Sequence, residues 1–202
     1  MSSTTPIPAS DRHPLGLPAG SIRGILSIGI VAAFLVFLCH PQATHVPLYI
    51  QFMTFGLFLF FASHGRTIGT DGRSPLFLPR GTLRFLLVAA IIAGVGWEWY
   101  QDPAALVARL KPGATELEAW TTLFGAALGG FFLGWLVAHG PWRTAPAFQD
   151  FMAWFALIAL LLVVVEAFWL GFIDHKAALM DNRPQWEAVL LAVVSFYFGT
   201  RS

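Results

Sequence analysis

The stretch SIRGILSIGIVAAFLVFL, Ser21 to Leu38, decides the fold: it holds a single charge, Arg23, near its start. A helix on the surface of a soluble protein carries a polar face, and this run has none to offer. About 20 mostly apolar residues are what a helix needs to cross a bilayer core about 30 Å thick. Five further stretches read the same way, at 47–63, 82–100, 116–139, 148–173 and 184–200. The last is the least secure of them, since Glu187 falls in its first turn. The sequence therefore predicts an all-α, polytopic integral membrane protein with about six transmembrane helices over 21–202, preceded by a disordered cytoplasmic tail at 1–20. That tail is rich in Ser, Thr and Pro and lacks the apolar centre of a signal peptide.

Bulk composition agrees. Of 202 residues 56% are hydrophobic and 11% charged, where a soluble domain carries about 25% charged residues. So little charge cannot clothe a globule in polar surface. A net charge of +1 gives no footprint for nucleic acid. The single cysteine, Cys39, excludes an internal disulfide. Trp97, Trp99, Trp120, Trp142 and Trp186 fall near predicted span ends, where amphipathic rings prefer to sit.

The start of that first stretch belongs to a longer phrase that the chain spells twice. PLGLPAGSIRGIL (Pro14–Leu26) and PLFLPRGTLRFLL (Pro75–Leu87) share seven of thirteen positions at an offset of 61 residues. Pro18 and Pro79 stop any earlier helix, Gly20 and Gly81 allow a turn, and Ser21 and Thr82 have side chains suited to N-capping. Arg23 and Arg84 then lie in a first helical turn, where the helix dipole opposes a cation. Lipid phosphate at the inner leaflet offsets that cost, so Arg23, Arg84 and the nearby Arg80 read as topology signals and lipid-phosphate contacts. Both copies precede odd-numbered spans, which makes the repeat parallel. It divides the chain into helical hairpins at about 21–63, 82–139 and 148–200, two clearly related and the third diverged.

Orientation follows from counting Lys and Arg. Arg12, Arg23, Arg66, Arg73, Arg80, Arg84, Arg143 and Arg201 fall on one side; Arg109, Lys111, Lys176 and Arg183 fall on the other. Eight against four places both termini in the cytoplasm of a bacterial-type inner membrane. On the outer side, DPAALVARLKPG (Asp102–Gly113) has Asp102 to cap, Pro103 at the first helical position and a Pro-Gly stop. It predicts a short helix, either lying on the membrane surface or packed on the span ends. TELE, Thr115–Glu118, fits a capping box that opens the fourth span.

Few residues could carry chemistry. Glu166 is the charged residue set deepest in a predicted span, and a bare carboxylate there costs ~3 kcal/mol or more. It reads either as an ion, proton or subunit-contact site, or as a neutral Glu bonded to a neighbouring helix through Thr54 or Ser195. Gly125 with Gly129, and Gly130 with Gly134, form two G-x-x-x-G pairs in the fourth span. Such faces let helices approach closely, within one chain or between copies. Ala90 and Gly94 are spaced alike in the third span. Cys39, His40 and His45, with His175, have ligand types for zinc or copper but no diagnostic spacing, so neither metal nor cofactor is expected. His64 and His139 suit helix C-termini by charge and hydrogen bonding.

The chain has no G-x-S-x-G, H-E-x-x-H, P-loop or C-x-x-C, and nothing pairs with Glu166 as an acid–base couple would. No enzyme activity is expected. The expectation is a non-catalytic membrane subunit or scaffold, packed with lipids and with other membrane subunits or copies of itself. An oligomeric pore or a small proton-coupled transporter, each using Glu166, is the alternative. The tail FYFGTRS resembles the ends of small phage-type holins, over those seven residues.

Overall fold

The computed structural model describes residues 15, 20–40, 43, 45–63, 81–140, 145–168 and 183–200. In both copies of the repeated phrase the glycine adopts the left-handed backbone region, Gly20 at φ 80° and Gly81 at φ 79°. That region is open to glycine and costly for other residues. The turn swings the chain into α1 (Ser21–Cys39) and α3 (Thr82–Gln101). Gly24 N–H donates to the Gly20 carbonyl at 2.9 Å, and Phe85 N–H to that of Gly81 at 3.0 Å. The N-cap in each case is thus the glycine, which has no side chain to bond back. Ser21 and Thr82, expected at that position, are each the first helical residue instead.

The helices that follow are α2 (Leu48–Ser63), α4 (Pro103–Leu110), α5 (Ala114–Glu118), α6 (Trp120–Ala138), α7 (Pro146–Phe168) and α8 (Arg183–Gly199), and the described residues include no strand. Ser21–Cys39, Thr82–Gln101, Trp120–Ala138 and Ala147–Glu166 are long and apolar enough to cross a membrane. The described residues are therefore all-helical, with four helices of full spanning length among them. Within the described residues α2 and α8 are apolar over 16 and 17 residues.

α1 touches α2, α3 and α7, while α8 touches α2, α6 and α7. These two helices form the interior, with Leu26, Ile30, Leu190 and Leu191 buried between them and their neighbours. α3 and α6 occupy the flanks. The contrast is large: 56% of the α1 apolar window is buried, and 6% of that in α3.

The closest approach is between α6 and α8. A Cβ at Gly130 would run into the Ala192 carbonyl, one at Gly134 into that of Phe196, and one at Gly199 into that of Phe131. Backbone therefore meets backbone along this seam. Gly94 makes room for the Leu35 side chain, and Gly29 for that of Leu160.

The expectations outside the spans fare differently. α4 forms as predicted, with Asp102 accepting from the N–H groups of Ala104 and Ala105 at 2.9 and 3.0 Å. Its Leu106 is buried in the core, so it packs on the span ends. The capping box does not open the fourth span. Thr115–Glu118 lies in α5, a turn at Ala119 follows, and α6 starts at Trp120. The acid that bonds back is Glu116, which accepts from Gly113 N–H at 3.1 Å. The tail at 1–20 lies outside the described residues apart from Leu15 and Gly20. The Leu15 N–H donates to Asp150 Oδ1 at 2.8 Å.

Candidate functional site

Helix direction alternates, so the end of α1 and the starts of α2, α6 and α8 gather at one end of the bundle, with the end of α7. Polar residues collect there. Arg109, near the end of α4, donates through one nitrogen to the Leu38 carbonyl and to Glu98 Oε2, the latter at 2.9 Å. Both members of this pair are largely shielded. The Arg109 carbonyl in turn accepts from Val46 N–H at 2.8 Å. Gln51 donates to the carbonyls of Val46 at 2.8 Å and Leu110 at 3.3 Å. α4 is thereby tied to α1, α3 and the start of α2.

Beside it, His45 Nε2 lies 3.3 Å from Glu116 Oε1, and Leu48 N–H donates to the same oxygen at 3.4 Å. The hydrogen bond to Glu116 raises the His45 pKa; burial opposes it, and the charges of Glu116 and Glu187 add to it. For Glu116, burial alone would raise the pKa. The bonds from His45 and from the Gly113 and Leu48 N–H groups outweigh it, and the net shift is downward. Glu187 is itself buried, 8% exposed, so the first turn that weakened the sixth predicted span points a carboxylate into the protein.

Glu166 belongs to this same end. It lies about 30 Å along α7 from Pro146, and Tyr49 donates to its Oε2 at a long 3.4 Å. Thr54 is not its partner, because that hydroxyl donates to the Ile50 carbonyl at 2.9 Å. Glu98, Glu116 and Glu166 thus each accept from a donor on another element. Chemically the arrangement is a set of ties that closes the end of the bundle.

The opposite end carries the repeated arginines. Arg23 sits over the Phe60 ring at 5.5 Å and Arg84 over the Phe61 ring at 5.4 Å, so equivalent positions of the two phrases grip adjacent residues of α2. Arg80 lies outside the described residues. His139 bonds the Trp135 carbonyl at 2.8 Å, as a helix-terminal histidine should; His64 lies outside the described residues.

Of the two glycine pairs, Gly130 and Gly134 are spent on α8, while Gly125 and Gly129 face open space. Cys39, His40 and His45 do not converge: among the described residues no three His, Cys, Asp or Glu side chains could hold a metal ion. His175 lies outside those residues. Sequence reasoning missed Tyr49, Gln51, Glu98, Arg109 and Glu116 as a group. The available signal was that each is polar and lies within a turn or two of a predicted outer span end.

No protein-family model, no curated protein and no solved structure matches this chain.

Proposed function

We propose that the chain is a non-catalytic integral membrane subunit or scaffold that packs within a larger membrane complex or with copies of itself. It crosses a bacterial-type inner membrane six times as two or three related hairpins, with both termini inside. The Lys and Arg asymmetry supports this orientation, as do the matching glycine turns before α1 and α3 and the matching arginine–phenylalanine contacts.

The observation that carries the subunit reading is the exposure of α3. Leu87 is its one buried residue among those described, while Phe85, Ile92, Trp97, Trp99 and Tyr100 all face outward. A helix with so little support from its own chain fits a place between this bundle and a neighbour. The pore and transporter readings rest on Glu166 alone, and its carboxylate accepts from Tyr49 within the same chain.

Photo-crosslinking from native membranes tests the proposal. A photoreactive residue replacing Ile92 is expected to give adducts with a second polypeptide. Adducts with lipid alone, from both Ile92 and Phe85 positions, would sink the subunit reading.

A further inference from the structure

Arg23 and Arg84 hold equivalent places in the repeated phrase, yet their surroundings differ. Arg23 borders a cavity of about 210 Å³ at its end of the bundle, where α1 and α7 start and α6 and α8 finish. Ala138, Phe148, Gln149, Met152 and Thr200 are among its other walls, and Arg23 is the one charged residue among the described residues that line it. Arg84 borders no part of it. The volume is smaller than the ~300 Å³ at which sites for drug-sized ligands begin, and suits a single small polar group. Arginine offers five N–H donors in a fork that matches phosphate oxygens, and the Gln149 amide is a second donor type in the same wall. Ala138, Phe148 and Met152 add an apolar side that would accept the carbon stem of an ester.

We propose that this cavity is a binding site for a phosphate group, supplied either by the headgroup of an anionic lipid or by free phosphate. Arg23 is its cation and Gln149 its neutral donor. The inference rests on the membrane setting and not on the subunit reading, since lipid retention and crosslinking from Ile92 are separate measurements.

The test uses the purified full chain in phosphatidylcholine nanodiscs doped with phosphatidylglycerol, read by native mass spectrometry. A parallel arm follows thermal protection by inorganic phosphate in undoped discs. Selective retention of phosphatidylglycerol identifies the lipid as source; saturable protection by inorganic phosphate identifies the free ion. In whichever arm responds, Arg23→Gln is expected to weaken binding about fivefold, the scale of one cation near a lipid surface. Arg23→Lys should retain most of it, and Arg84→Gln should behave as wild type. Ala138→Leu fills the cavity while leaving Arg23 in place, and it too should weaken binding. The proposal is overturned if neither arm responds. It is also overturned if Arg84→Gln loses as much as Arg23→Gln, which would mean a general surface charge effect. Ala138→Leu binding like wild type would place the anion outside the cavity and overturn it as well.

Discussion

His45 and Glu116 hold together only while one is protonated and the other is not, so their bond has a pH window. Glu116 has its pKa lowered from the ordinary 4.5, so its contribution is complete above about 4.5 and is lost as pH falls through the lowered value. His45 has its pKa raised from 6.5, so its contribution is complete below about 6.5 and is lost as pH rises through the raised value. Amide exchange in residues 45–48 and 113–116 should therefore be slowest between pH 4.5 and 6.5, after correction for intrinsic rates. His45→Gln should remove the dependence on the alkaline side. The histidine is 36% exposed, so the effect on global stability should stay below ~1 kcal/mol. The Glu98–Arg109 pair is better shielded, and removing one partner there strands the other. Glu98→Gln should cost ~3 kcal/mol, the lower end for a broken buried pair, read as a lower unfolding midpoint in detergent. The charges themselves were plain in the sequence, but their pairing was not. Which carboxylate meets which donor depends on the packing of α4 over the ends of α1 and α3.

At the scale of elements, the two glycine pairs of α6 make opposite predictions. Gly130→Ala and Gly134→Ala force a methyl into the backbone of α8 and should destabilise by about 1–3 kcal/mol, the usual range for overpacking. Gly125→Ala and Gly129→Ala meet nothing and should be neutral or gain up to ~1 kcal/mol from helix propensity. Thermal midpoints of the four variants in one detergent would separate the pairs. Both patterns were legible in the sequence, whereas the choice between them lay in α8, where Ala192 and Gly199 present the matching thin face. The helices themselves were legible because long apolar runs and the Asp102–Pro103 start are local signals. The start of the fourth span was not, because it depends on tertiary ties. Glu116 is pulled back to Gly113 and His45, so α6 begins only at Trp120. Glu166 accepts from Tyr49 of α2, a partner that no local pattern in α7 announces.

For the molecule as a whole, the claim most exposed to measurement is how it threads the membrane. Cys39 is the one cysteine in the chain. It is exposed and ends α1, at the end of the bundle that holds Glu98, Arg109 and Glu116. Six crossings with the arginine-rich side inside place this residue at the outer surface and Ser202 at the inner one. A membrane-impermeant maleimide should therefore label the wild-type protein in intact spheroplasts. It should fail to label a Cys39→Ser, Ser202→Cys protein until the membrane is permeabilised. In the proposed orientation Arg23 and Arg84, at the opposite end from Cys39, lie at the leaflet facing the cytoplasm, the side that Lys and Arg favour. Reversed labelling would mean that the arginine count does not set orientation here. Labelling of both proteins in intact spheroplasts would mean an odd number of crossings. The same pair of proteins thus tests orientation and span number together.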